Sequence, residues 1–341
     1  MQILLRRLKK HPFSVFAFLL LLVFLISLTS GRYPLSIGEI FEAVYQWGSG
    51  GKLTDRQDEI LFLLTDIRLP RICAAILVGA ALSVSGTVYQ AMFVNPLVSP
   101  SILGVLSGAS FGAALGIVVF NSWFLTQFLA FAFACAAVSL AVLFSLLFRR
   151  SSILVLILGG MVVGAFFTSL TSLLKYAADP DNQLPELVYW LMGSFTHANN
   201  DNLLKVGVIS ILGIVFLSLQ GKTVNILSLG DEEAMSLGVN VKLTRIVFIT
   251  AATFISASTV VLAGTISWVG LVVPHMLRFL TGPDNRKLLP LAAMGGALYM
   301  LSTDLMVRTF FAAELPVGII TSLVSLPLFI FAIVQNRGRW R

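Results

Sequence analysis

The sequence predicts an all-α membrane protein of about ten transmembrane helices, folded as one domain over residues 1–341. Three observations lead there. Of the residues, 57% are apolar and only 11% charged, where a soluble domain carries about 25% charged residues. Apolar runs of spanning length, roughly 20 residues each, recur almost to the C-terminus. The charges fall between those runs and are sorted by sign.

Helices are expected at 12–31, 67–92, 100–120, 124–148, 151–176, 202–220, 241–265, 271–281, 288–311 and 318–335, with polar connections at 32–66, 177–201, 221–240 and 282–287. The first follows Arg6, Arg7, Lys9 and Lys10, a basic start that also opens secretory signals. Its apolar run from Phe13 to Leu28 is long for a signal core, and Thr29-Ser30-Gly31-Arg32 is not a small-x-small cleavage site. It therefore reads as an uncleaved first span.

Arg68-Leu-Pro-Arg71 opens the second helix. Two arginines three apart share nearly one helix face, and a helix N-terminus disfavours cations. A carboxylate on a partner protein would suit them, since Arg binds carboxylates bidentately; headgroup anchoring explains them equally well. At the other end, Pro96 pushes Asn95 out of helical geometry. Asn95-Pro-Leu97-Val-Ser99-Pro100 is then irregular backbone, tolerated at the membrane edge only inside protein or along a cavity.

Gly104, Gly108, Gly112 and Gly116 recur every four residues on one face of the third helix, and Gly160 and Gly164 repeat the spacing on the fifth. Such small residues let helix backbones approach closely in lipid, so the expected role is packing. The eighth helix is too short to span alone and must be buried in protein. On the ninth, Asp304 and Arg308 are four apart, the spacing of a helical ion pair.

After the sixth helix, Ser228-Leu-Gly-Asp231-Glu-Glu-Ala-Met-Ser-Leu-Gly238 has the marks of a short helix. Ser228 or Asp231 can cap it, its acids suit the first turn, and Gly238 can end it. Such a helix could serve as a docking knob for a soluble motor; a plain surface loop is the other reading.

One set of loops holds 15 of the 23 Lys and Arg with four of the 16 acids, and the other set holds eight and twelve. The positive-inside rule places the first set, with both termini, in the cytoplasm, and an even number of crossings follows. The net charge of +7 then reflects topology, and no nucleic-acid partner is inferred.

Several chemistries are missing. Gly221-Lys222-Thr223 resembles the end of a phosphate-binding loop, but Phe216 stands where the first glycine is needed. There is no His-Glu-x-x-His or Gly-x-Ser-x-Gly, so no catalytic residue, metal site or cofactor is expected. Cys73 and Cys135 read as small core residues, and His275 as a hydrogen-bonded core histidine. Ion-coupled carriers need titratable groups near the bilayer centre, and Asp304 is the main candidate. An external motor is the better expectation, with an ion-coupled secondary transporter and an intramembrane enzyme as rivals.

Together these segments resemble the FecCD/BtuC-like permeases, which import iron–siderophores, haem and cobalamin with a binding protein and an ATPase. The resemblance covers nearly the whole chain from about residue 12. It is carried by RLPRICAAILVGAALSVSGTVYQAMFVNPLVSPSILGVLSGA at 68–109, YWLMGSF at 189–195, LSLGDEEAMSLGV at 227–239, AGTISWVGLVVPHMLR at 263–278 and AAELPVGIITSLVSLPLFI at 312–330.

The resemblance implies the type II ABC importer permease fold, in a bacterial or archaeal cytoplasmic membrane. It implies a second permease subunit, identical or paralogous, two ATPase subunits and an extracytoplasmic substrate-binding protein. Arg68, Arg71 and Arg308 match residues that receive glutamates of the binding protein. Asn95 and Leu97 match a cytoplasmic gate, although Val94 stands where Arg or Glu is frequent. Ser151 and Ser152 fall near a second gate segment whose pattern Arg149-Arg150 departs from. Asp231, Glu232, Glu233, Ala234 and Gly238 lie in the loop that seats in the ATPase cleft, and the fifth and tenth helices line the path. Iron–siderophore is the first substrate expectation, with haem, cobalamin or molybdate and tungstate open.

Overall fold

The computed structural model describes residues 11–31, 33–147, 153–311 and 313–336. In chain order the helices are α1 (Pro12–Thr29), α2 (Ile37–Gly48), α3 (Asp55–Phe62), α4 (Leu69–Met92), α5 (Val105–Val118), α6 (Trp123–Leu147), α7 (Ile153–Ala177), α8 (Gln183–Met192), α9 (Asn200–Leu219), α10 (Gly221–Leu227), α11 (Asp231–Ser236), α12 (Val241–Ala263), α13 (Val269–Thr281), α14 (Asn285–Phe310) and α15 (Val317–Asn336). Among the described residues, seven helices are long and apolar enough to cross a membrane, and α5, α13 and α15 are shorter apolar ones. These account for the ten expected spans.

The spans sort by what they face. α1 is apolar all round; one face, with Phe16, Leu20 and Phe24, packs on the core and the other is exposed, as suits a helix at the lipid boundary. α4 is the opposite: its small residues are buried nearly throughout, and it forms the axis on which α9, α12, α13 and α14 pack. Small side chains permit this. A Cβ on Gly86 would lie 1.8 Å from Gly270 O, and one on Gly79 would lie 2.1 Å from Gly296 O. Hydroxyl pairs add polar links between α4, α9 and α12: Ser85–Ser256 at 3.0 Å, Tyr89–Thr253 at 3.1 Å and Ser210–Ser258 at 2.7 Å. The glycine row of α5 faces α6, where Cβ atoms on Gly108, Gly112 and Gly116 would lie 2.1–2.3 Å from its backbone, and Gly104 lies against Gly160 and Gly164 of α7.

The polar connections are more helical than the sequence suggested. Between residues 33 and 66 the chain forms α2 and α3, each opened by a capping box, Ser36 with Glu39 and Thr54 with Gln57. A π-turn at Leu63–Arg68 carries α3 directly into α4, so the second span begins near Asp55 and not at 67. Helix α8 occupies part of 177–201. The third expected helix is broken at its start: Pro100–Leu103 is a 3₁₀ turn, and Gly104 at φ +83° separates it from α5.

Helix α13 is buried as its length required. It starts from irregular backbone that the protein itself satisfies: Ser194 N donates to Ala263 O at 2.9 Å, Gly318 N donates to Gly193 O at 3.2 Å, and the Thr265 hydroxyl donates to Leu191 O. Three separated motifs, at 189–195, 263–268 and the start of α15, therefore meet at one place.

Candidate functional site

The structure gathers polar chemistry at the two ends of the bundle and along one groove. At the first end, Arg71 leaves α4 toward α14. Its Nε donates to Asp304 Oδ1 at 2.9 Å and its Nη1 to Glu314 Oε1 at 3.2 Å. Arg308, one turn past Asp304, places Nε 2.9 Å from Asp304 Oδ2 and donates from Nη1 to Ser27 O at 3.3 Å. Arg68 donates to the carbonyls of Leu28 and Tyr33 at the end of α1. Asp304 is wholly buried, and a carboxylate removed from water requires paired charge; the two arginines supply it. A cleft of about 170 Å³ lies above, lined by Tyr33, Ile67, Arg68, Arg71, Arg308 and Glu314.

The three arginines singled out in the sequence are thus brought together, but not as free handles. Arg68 is 5% and Arg71 8% exposed. The dipole argument also fails, because the π-turn embeds both in one continuous helix. Arg68 turns to α1 and Arg71 to α14, so they do not act as one face. Glu314, unremarked in the sequence, completes the cluster; its signal was a lone acid between two apolar runs.

At the opposite end, α10 is latched to the start of α14. Asn225 Nδ2 donates to Asp284 Oδ1 at 2.7 Å, and Asn285 N donates to Asn225 Oδ1 at 2.8 Å. Asp284 caps α14, accepting from Arg286 N at 3.1 Å, and Arg286 also donates from Nε and Nη2 at 3.1 Å each. These hydrogen bonds, Arg286 first and Asn225 next, hold the Asp284 carboxyl down at about 2. No sequence motif announced Asn225 or Asp284.

Beyond the latch, α11 begins at Asp231, and Gly230 at φ +111° is its N-cap. Ser228 does not cap it; its hydroxyl donates back to Asn225 O at 2.7 Å. Asp231 is the first helical residue and binds Arg245 of α12 at 2.5 Å. Gly238, at φ +82°, ends the helix as expected. Ala234 is buried, while Glu232, Glu233, Leu229, Met235 and Leu237 are exposed.

Asn95 and Leu97 sit in the break after α4. Val94 is held at φ +48°, a strained value for a β-branched residue. Leu97 N donates to Asn95 Oδ1 at 2.9 Å, an Asx turn, and the Leu97 side chain is half exposed. Ser151 and Ser152 lie outside the described residues.

A groove of about 290 Å³ between α5, α7 and the segment before α13 is lined by Ser107, Ser110, Thr168, Ser172, Lys175 and Ser267, among others. Thr168, Ser172 and Ser110 donate to backbone carbonyls of their own helices at 2.8–3.0 Å. Their protons are thereby already donated, and the wall they form offers a solute only acceptor lone pairs. His275 is buried with neither ring nitrogen hydrogen-bonded among the described residues, contrary to expectation, and rests edge-on to Phe279 and Phe329. Cys73 and Cys135 are free and only half-buried. No group of three potential metal ligands occurs among the described residues.

A bundle of spanning helices with a short, buried α13 that starts from irregular backbone, and a helical knob latched to one end, defines a multi-pass transport permease. Residues 19–335 match the model of the FecCD transport family, and the chain belongs to that family. It is 39% identical over 322 residues, 94% of each chain, to the molybdate import system permease protein MolB of Haemophilus influenzae. It is 34% identical over 335 residues to the hemin transport system permease protein HmuU of Yersinia pestis, covering 96% of this chain and 97% of that one. A solved structure described provisionally as a metal-chelate type ABC transporter, in an inward-facing conformation, superposes with a TM-score of 0.84 at 37% identity over 94% of this chain and 98% of the other. The chain is accordingly the permease of an ABC importer, in which ATP is hydrolysed by separate subunits.

Proposed function

We propose that this permease carries an anionic metal species inward, as one half of a paired conduit in a bacterial or archaeal cytoplasmic membrane. Both termini and α11 face the cytoplasm in this reading, in keeping with the sorting of cations. The observation that carries the substrate class is the groove at α5 and α7: hydroxyls, one lysine and no carboxylate along its wall. A satisfied hydroxyl wall lets a polar solute slide without holding it, and Lys175 offsets its charge.

The sequence alone put an iron–siderophore first. The 39% relative named for molybdate, matched along 94% of its length, moves an oxyanion of that kind ahead. The ferric chelate remains the second reading, favoured by the metal-chelate description of the solved relative.

Transport proceeds by alternating access. ATP-driven closure of the ATPases moves α11, the latch at Asn225 transmits the motion to α14, and the break at Asn95–Leu97 opens. A binding protein docks at the cluster of Arg68, Arg71 and Arg308. Its carboxylate takes the place on Arg71 that Glu314, the exposed acid of the cluster, now holds.

Vesicles containing the permease and its ATPase, supplied with the binding protein, test this. Labelled molybdate should accumulate only with ATP, and Leu237→Asp, at the exposed C-cap of α11, should cut uptake at least about tenfold while leaving folding unchanged. Accumulation of a ferric chelate but not molybdate selects the second reading. Uptake driven by an ion gradient without the ATPase overturns both.

A further inference from the structure

A second feature of the membrane face is not explained by transport. Two adjoining cavities of about 180 and 320 Å³ run between α6 and α12, sharing Val142, Leu146, Ile246 and Ile249. Their wall on α6 extends from Cys135 to Leu146, about 16 Å at 1.5 Å per residue. That is close to half of the roughly 30 Å hydrocarbon core. One end is apolar, closed by Val138 and Phe254. The other end carries Lys242, Arg245 and Asp231.

We propose that this groove binds one acyl chain of an anionic phospholipid, with the headgroup held by Lys242 and Arg245. The charged groups sit only at the end where a headgroup would lie, the other end carries nothing more polar than the hydroxyls of Ser139, Thr250 and Thr253, and the groove's length matches one leaflet. The mouth is net positive. Lys242 is exposed with no ion pair among the described residues, while Arg245 gives Nη2 to Asp231 and keeps a buried Nε without a partner. Glu232 and Glu233 do not line the groove. Basic pockets between spanning helices at the cytoplasmic edge suit anionic headgroups. Because Asp231 and Met235 of α11 form part of the wall, a seated lipid braces the knob that the ATPase is proposed to grip. The site itself is independent of the transported solute; its assignment to the cytoplasmic leaflet rests on the orientation proposed above.

The test uses the full-length permease in detergent, titrated with phosphatidylglycerol or with phosphatidylcholine of the same chains. Phosphatidylglycerol should raise the unfolding midpoint by about 3 °C more than phosphatidylcholine, and native mass spectrometry should retain one such lipid per chain. Lys242→Gln should remove most of that preference, whereas Lys222→Gln, an exposed cation on α10, should keep it. Val142→Trp fills the groove and should abolish retention; Leu146→Trp, at a half-exposed position, serves if that variant does not fold. Equal stabilisation by the two lipids, or an unchanged preference in Lys242→Gln, overturns the proposal. So does disulfide cross-linking between two copies through Leu143→Cys in a cysteine-free background, which would assign the groove to a second copy.

Discussion

The two ends of α14 handle charge in opposite ways. At one end Asp304 has 0% side-chain exposure, and Arg71 and Arg308 have 10% each; both acids there are held by arginines of the chain itself. At the other, Arg286 is 67% exposed, and the neighbouring α11 turns acids and large apolar side chains outward together. The first end is a clamp that closes α1, α4 and α14 on one another. The second leaves surface unsatisfied, as a seat for another protein requires. One helix of 26 residues joins them, about 39 Å long, so a displacement at one end has a stiff route to the other. A partner at the clamp must exchange with an existing ion pair, while at the knob Glu232 and Glu233 are exposed and carry no ion pair among the described residues.

The comparison is broken most directly at Asp304. Asp304→Asn keeps the shape and removes the charge, leaving buried Arg308 without a counter-charge and Arg71 with the half-exposed Glu314 alone. Breaking a buried pair in this way costs about 3–5 kcal/mol, so the variant should unfold well below the wild type in a thermal melt, or fail to accumulate in the membrane. A loss under about 1 kcal/mol would mean that the cluster is solvated and the contrast between the ends false.

The route between the ends is tested next. A Cβ on Gly296 would lie 2.1 Å from Gly79 O and 2.6 Å from Ser83 Cβ, so Gly296→Ala must push α14 from α4. Overpacking of this kind costs about 1–3 kcal/mol, read by the same melt. Uptake should fall further than stability if α14 transmits motion, since the latch at Asn225 would remain intact while its lever is displaced.

Glu314 sharpens the contrast at the clamp. It is the accessible acid of the cluster, at 3.2 Å from Arg71 with 38% side-chain exposure. Glu314→Gln should therefore cost no more than about 1 kcal/mol. If a docking carboxylate displaces it, the variant should bind the binding protein more tightly, measured by surface plasmon resonance. Unchanged or weaker binding would place the docking contact elsewhere.

How much of this was legible in the sequence differs between the ends for a physical reason. Span number, the breaks at Asn95-Pro96 and before α13, the glycine row of α5 and the pairing of Asp304 with Arg308 are local patterns, carried by periodicity or by spacing along one helix. The exposed α11 was legible for the same reason, since its acids and terminal glycine are contiguous, though the choice of Ser228 or Asp231 as cap was wrong. Contacts between distant segments were not legible. Arg71 meets Asp304 across 233 positions, and only the folded chain reveals that its partner is internal. Asn225 and Asp284 are ordinary polar residues in segments that read as loops in the sequence. Gly79 and Gly86 lie two turns apart on α4 and could have been read as a second packing face. The π-turn at Leu63–Arg68 defeated the assumption that an apolar run marks a helix start, because α3 is polar and continuous with α4.

The smallest effect tests the knob end, where charge is only partly shielded. Asp284 has an ordinary value near 3.8, lowered to about 2 by the hydrogen bonds from Arg286 and Asn225. A carboxylate depressed on folding adds stability that is fully present above its unfolded value, and that stability is lost as pH falls through the folded value. Asp284→Asn retains an N-cap acceptor for α14, since Asn caps about as well as Asp, and removes the charge together with the acceptor for Arg286 Nη2. The wild type should then exceed the variant by less than about 1 kcal/mol above pH 5, with the gap closing as pH falls from about 4 toward about 2. Paired melts across that range in detergent would measure it. Salt should shrink the gap too, because the Arg286 partner is exposed, whereas the Asp304 cluster, out of water, should be insensitive to the same salt. A gap that resisted salt at Asp284 would show the latch to be as closed as the clamp, and the asymmetry between the two ends of α14 would disappear.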